Sequence, residues 1–457
     1  MNRVSWGSKL GFIFAVAGSA VGLANIWRFP YVVGQNGGAA FIAVYLLCLF
    51  LIGFPVFISE ILIGRTTQTS PSGAFKELGR TAAWGWAGKL TILTGLLVSA
   101  FYSAVAGWIL GYLVEAIKGN ISAFESSAHV VTHYQTLMDN PFWGLSFHFF
   151  FLMACTGVLV LGVRSGIERG NKIMMPMLFI VLVFLAIWGL TMPNAHKGLA
   201  FLLTPDWSAL STQAILIALG QAFFTLSLGQ GTMVTYGSYM GKKESLLGSC
   251  VPVVIMDTVI SLVASIAVFT IVFAVELEPN SGPGLIFHTL PWAFSQIPFG
   301  HGVAVLFFLL IVLAALTSEI SAMEPAIAYL IDEWKWKRTP AVLATGACAF
   351  LVGVPAALSY SLLKDQLIAG MTLLDFMSFV ATSIMIPIGG FFAVILVGWR
   401  WGVPKALVQL KEGAGTLFAK QPWLSRYFWF CFKYSAPILI ILVLLNELLS
   451  QFRALLG

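Results

Sequence analysis

Apolar runs of 18 residues or more recur along the whole of this sequence, and each is long enough to cross a bilayer as a helix. In hydrocarbon, every backbone N–H and C=O must find its partner within the chain, so only helices or a closed barrel can span. Period-two alternation is absent, which argues against the barrel. With 59% hydrophobic and 10% charged residues, the chain does not fit a soluble domain. The first run ends in Asn25 and Arg28 without a small-residue cleavage site, so it reads as a span and not a signal peptide. Cys48, Cys155, Cys250, Cys348 and Cys431 all lie in apolar stretches without paired loop spacing, and read as buried small residues.

Eleven spans are predicted, at about 9–34, 37–64, 87–117, 143–162, 171–191, 212–240, 245–276, 302–332, 339–361, 370–399 and 427–450. With this count, 20 of the 25 lysines and arginines fall on the N-terminal side of the membrane, from Arg3 and Lys9 to Lys433. Lys118, Lys197, Lys364 and Arg453 fall on the other side, with Arg28 near them inside span one. The asymmetry predicts a multi-pass protein of the cell membrane, with a cytoplasmic N-terminus and a C-terminus outside. The formal charge of +6 then needs no nucleic acid; its partner is the anionic face of the lipid bilayer.

Two spans are interrupted. Span one carries Gly18, Gly22 and Asn25, and span six carries Gly220, Gly229 and Gly231. Each would begin a five-helix unit, and because five is odd the second unit must be inverted. This predicts an all-α membrane protein with repeat one at about 9–191, repeat two at about 212–399 and an extra helix at about 427–450. Paired interruptions point to a binding site near the midplane; close helix packing at small residues is the other reading. An unwound helix frees carbonyls for a hard cation and N–H groups for an anion. A zwitterion bound with a cation uses both.

SAVGLANIWRFP at 19–30 with NGGAAF at 36–41, AFFTLSLGQG at 222–231, AALTSEISAMEP at 314–325 and LLDFMSF at 373–379 resemble, in order, spans one and two, six, eight and ten of the neurotransmitter:sodium symporter family. The resemblance covers nearly the whole chain and is to bacterial amino-acid transporters of the leucine-transporter fold, some of which stop after eleven helices. It implies sodium-coupled import of a neutral, hydrophobic amino acid by alternating access, with two sodium ions, in a bacterial inner membrane.

By the same resemblance, the first sodium site would use Ala20, Asn25 (through its amide oxygen), Thr225 and Asp257. The second would use the carbonyls of Gly18, Val21 and Ala314 with the hydroxyls of Thr317 and Ser318. For those two hydroxyls, bonding to a carbonyl one turn back is the alternative. The substrate would meet Ala20, Gly22, Ala24, Val98, Tyr102, Phe224, Thr225, Ser227, Gln230, Ser318 and Ala322. Monoamine-transporting members carry aspartate at the position of Gly22, so a glycine there implies a substrate that brings its own carboxylate. Gln230 stands where leucine-type members carry phenylalanine, and it either reads the substrate or bonds within the protein. The outer gate would be Arg28 with Asp375 above Tyr102 and Phe224, and the inner gate Arg3 with Asp332, Trp6 and Tyr239.

Asp257 replaces the asparagine of leucine-type members. Tyr45, Gln221, Thr225 and Ser261 match the chloride shell of chloride-dependent members, but an aspartate there already supplies the negative charge. Two like charges at close range repel in a low dielectric, so chloride is not required. If Asp257 is protonated instead, chloride keeps a role. Glu60, Glu319 and Glu324 lack the nucleophile–base pattern of an enzyme. An amino-acid-binding sensor and a proton-coupled transporter remain the alternatives; the exact amino acid and the oligomeric state are not encoded in any motif.

Overall fold

The computed structural model describes residues 4–275 and 285–456. Among these the architecture is helical, with two isolated bridges, Gly38 to Pro205 and Ile368 to Met371, as its strand-like pairings. Nine continuous helices have the length and apolarity of a membrane crossing: Ala39–Thr67, Ala82–Ile117, Pro141–Val160, Val163–Leu190, Leu246–Ala274, Gly300–Asp332, Arg338–Ala357, Leu373–Arg400 and Trp423–Ser450. Span one is Lys9–Ala20 followed by Ala24–Gln35, bent by 55° at the break. Span six is Thr212–Phe224, too short to cross alone, followed by Thr232–Ser238. The helices therefore lie where the eleven apolar runs were read.

The span starts follow local chemistry. Ser8, Asn140, Ser211, Ser245 and Thr372 each accept a backbone N–H of the first turn through their side chains. Short helices between the spans, among them Pro71–Gly79, Ser127–Met138, Ala195–Leu203 and Val403–Lys411, were not in the sequence reading. They are too short to give an 18-residue signal.

Lys9–Ala20 lies against spans five, seven and eight, while span three runs along span eight. The second half of span six packs on span two with very close backbones: a Cβ on Gly64 would stand 1.9 Å from the Val234 carbonyl oxygen, and one on Gly237 would stand 2.4 Å from that of Ile61. Polarity is turned inward. Asn25, Glu60, Thr225, Asp257, Thr317, Glu319 and Glu324 are buried, whereas Phe150, Ile180, Ile187 and Leu351 are exposed. This inside-out distribution is that of a protein solvated by lipid.

Candidate functional site

The breaks in spans one and six face each other. At the first, Val21 adopts an extended conformation and the helix resumes as a wide turn over Ala24–Arg28. At the second, Ser227, Gly229 and Gly231 all have positive φ. Gly229 could be nothing else, since a Cβ there would lie 1.9 Å from the Ile386 carbonyl oxygen. Its freed N–H donates to Glu60 Oε1 at 2.7 Å. Glu60 thus supports the unwound segment, a role that nothing local in the sequence announces. Ser227 ties the two breaks together, its hydroxyl donating to the Ser19 carbonyl at 2.8 Å.

Three of the residues assigned to the first cation site converge in a buried cluster. Thr225 Oγ1 lies 3.1 and 3.0 Å from the two carboxylate oxygens of Asp257. Asn25 Nδ2 lies 2.7 Å from Asp257 Oδ1, 2.8 Å from Ser261 Oγ and 3.1 Å from Thr225 Oγ1. Asn25 Oδ1 accepts the Gly22 N–H at 3.0 Å. The amide therefore turns its nitrogen toward Asp257 and its oxygen, the atom assigned to the cation, toward the Gly22 N–H. A carboxylate draws the N–H groups, and the N–H freed at Gly22 needs an acceptor. Ala20 lies beside the cluster on the wall of the central cavity. Tyr45 is buried with its ring against Phe29, and Gln221 Nε2 is buried without an acceptor.

The second cluster joins span eight to the break in span one. Ser318 Oγ stands 3.3 Å from the carbonyl oxygens of Gly18 and Ser19 and 3.2 Å from that of Val21. One hydroxyl hydrogen cannot serve three carbonyls, so the group is rich in oxygen and short of positive charge. Thr317 Oγ1 donates to the Ala314 carbonyl at 3.0 Å, the one-turn-back bond available to any helical threonine. Span five adds Asn171, whose Oδ1 is buried without a donor beside Gly18, a neighbour the sequence reading missed.

Between the clusters lies a cavity of 60 Å³. Of the residues assigned to the substrate, Ala20, Gly22, Ala24, Val98, Tyr102, Phe224, Ser227, Gln230, Ser318 and Ala322 line it; Thr225 lies outside it, in the first cluster. Ser19, Leu23, Glu319 and Ile386 line it too, and were not foreseen. Gly22 is required by space: a Cβ there would come within 2.6 Å of Ser318 Oγ and 3.2 Å of the Tyr102 hydroxyl.

A vestibule of 390 Å³ adjoins the cavity, with Tyr102, Phe224, Val98 and Ile386 lining both. Arg28 and Asp375 line the vestibule but do not form an ion pair. Arg28 donates to Gln221 Oε1 at 3.0 Å and lies over the Phe224 ring, while Asp375 accepts from its own helix cap, Thr372, at 2.7 Å. The predicted outer gate is therefore apart in this structure. Glu447, bonded to Ser383 at 2.9 Å, adds a second carboxylate to the vestibule wall.

At the opposite end Trp6 is buried, at 5% exposed. Its indole donates to the Tyr236 carbonyl at 3.1 Å and its backbone N–H to that of Tyr239 at 3.0 Å. The Tyr239 hydroxyl donates to Glu324 Oε1 at 2.7 Å, and Arg338 grips Glu324 with bonds of 2.9 and 2.8 Å. Asp332 accepts the Ser70 N–H at 2.7 Å, capping the helix Pro71–Gly79. Arg3, its assigned partner, lies outside the described residues. Glu168 of span five anchors the start of span one by accepting from Gly7 N at 2.7 Å and Ser8 Oγ at 3.0 Å.

Comparison with known proteins agrees with this geometry. The chain matches the sodium:neurotransmitter symporter family over residues 3–140 and 140–455. It is 37% identical over 446 residues to an uncharacterized sodium-dependent transporter of Bacillus subtilis, covering 97% of each chain. Against the sodium- and chloride-dependent GABA transporter 2 of Rattus norvegicus it is 25% identical over 489 residues, covering 94% of this chain and 78% of the other. The crystal structure of MhsT in complex with L-phenylalanine superposes with a TM-score of 0.87 at 40% identity, covering 98% of this chain and 100% of that one. The fold is that of the leucine transporter, and the chain belongs to the sodium:neurotransmitter symporter family.

Proposed function

We propose that this protein imports a neutral amino acid together with two sodium ions, by alternating access and without chloride. The observation that carries the proposal is the placement of two oxygen-rich clusters on either side of one small cavity, at facing helix breaks. The sodium dependence in the names of relatives and the L-phenylalanine bound to MhsT support it.

In this reading one sodium sits among Ala20, Asn25, Thr225 and Asp257, and the Asn25 amide rotates to offer its oxygen. The second sits among the carbonyls of Gly18, Val21 and Ala314 and the hydroxyls of Thr317 and Ser318. It supplies the positive charge that the carbonyls around Ser318 lack. The substrate carboxylate meets Tyr102 and the freed N–H groups of span one, and its amine meets span-six carbonyls. Closure of the vestibule brings Arg28 toward Asp375 over Tyr102 and Phe224. Release follows when Trp6 leaves Tyr236 and Tyr239. Each sodium moving down a 100 mV potential contributes about 2.3 kcal/mol, enough to concentrate an amino acid.

Asp257 provides the fixed negative charge beside the first sodium, which removes the need for chloride. The two five-helix units pivot on each other, with the eleventh span as an addition. The N-terminus lies in the cytoplasm and the C-terminus outside, in a bacterial inner membrane. The protein is a carrier and not an enzyme. The test is binding of labelled neutral amino acids by purified protein in sodium and in potassium. Binding that needs sodium supports the reading; equal binding in potassium defeats it and favours a sensor or a proton-coupled carrier.

A further inference from the structure

Three carboxamide and carboxylate oxygens around the central cavity have no donor in good hydrogen-bond geometry. Glu319 is fully buried, and both its oxygens lack a hydrogen-bond partner. Gln230, 6% exposed, has its Oε1 buried without one. Both residues line the 60 Å³ cavity, from spans eight and six. The Ser99 hydroxyl of span three faces Glu319, in a contact that falls short of hydrogen-bond geometry. Ser99 lies on the stripe of span three that also carries Gly95, Val98 and Tyr102, spaced to face one side of a helix. Gly95 lets that stripe approach closely, since a Cβ there would come within 2.9 Å of the Gln230 carbonyl oxygen and 3.1 Å of that of Ala322.

Buried acceptors without donors are costly, and a site so built discriminates strongly against a ligand that leaves them unmatched. The proposed function, on which this inference rests, already assigns the substrate carboxylate to Tyr102 and span one, and the amine to span six. Glu319 and Gln230 are left for the third arm of the amino acid. We propose that the cavity selects an amino acid whose side chain carries N–H or O–H donors, and that Glu319 and Gln230 accept from it. The apolar wall formed by Val98, Phe224 and Ile386 holds the carbon part of the same side chain. This replaces the hydrocarbon side chain expected from the sequence.

The experiment uses near-isosteric pairs: tyrosine against phenylalanine, threonine against valine, and glutamine against methionine. Each competes for sodium-dependent binding to the purified full-length protein. The expected result is that in at least one pair the donor-bearing member binds ten-fold tighter or more, and that Glu319→Leu and Gln230→Leu each shrink that ratio about ten-fold. If Glu319→Leu does not fold, Gln230→Leu carries the comparison alone. Sodium-dependent binding in which the hydrocarbon member of every pair binds as tightly as its partner overturns this inference and leaves the transporter reading standing. A ratio unchanged in the folded variants also overturns it. Absence of sodium-dependent binding across the whole panel overturns the transporter reading, and this inference with it.

Discussion

The hydroxyl of Ser318, on span eight, stands 3.2 Å from the carbonyl oxygen of Val21, across the break in span one. With the Gly18 and Ser19 carbonyls also at 3.3 Å, span eight here meets the break in span one through a cluster of oxygen atoms. Replacing Ser318 by Ala removes one ligand from the proposed second sodium. The sodium concentration for half-maximal amino-acid binding should rise about ten-fold, equivalent to about 1.4 kcal/mol. A sodium titration in the variant identical to that of the parent would exclude the site.

Asp257 bonds to Asn25 and Thr225 in a fully buried position. Asp257→Asn keeps the shape and removes the charge. Uptake by the variant should become dependent on chloride, whereas the parent should transport equally well when chloride is replaced by gluconate. Loss of parental uptake in gluconate would refute the role given to Asp257.

Gly229 holds the break in span six. Gly229→Ala would force a Cβ to within 1.9 Å of the Ile386 carbonyl oxygen at a φ of 73°. The strain and the displaced Glu60 bond should lower stability by about 3 kcal/mol or more. Thermal unfolding of purified protein measures this, with Gly220→Ala as the control, since a Cβ on Gly220 meets nothing within 4 Å.

Tyr239 links Trp6 to Glu324. Tyr239→Phe removes a buried 2.7 Å bond to a carboxylate, worth about 1.5–3 kcal/mol to the closed arrangement. The protein should then open more often at the end where the chain begins. A cysteine placed at Ala328, on the wall of the 820 Å³ hollow there, should be alkylated about ten-fold faster in the variant than in the Tyr239 parent. Equal rates would mean that Tyr239 does not hold this end shut.

The sequence by itself determined the solvent, the helical class and the two broken spans. Those depend on run length, on glycine spacing and on polar residues in apolar runs, all of which are local. It also nominated Asn25 and Asp257, as polar groups inside apolar runs, and, through the resemblance to the symporter family, Thr225 and Ser318. Only the tertiary structure decided what those partners are. Glu60 serves Gly229 across 169 positions of sequence, and Arg28 serves Gln221 across 193, not Asp375. The direction of the Asn25 amide depends on which neighbour offers a carboxylate and which offers an N–H. Glu319 and Glu447 gain their meaning from cavities that form only when several spans pack together, and Asn171 from its approach to Gly18 across spans five and one. Hydrogen bonds in a dry interior are satisfied by proximity in space, and chain order does not fix that.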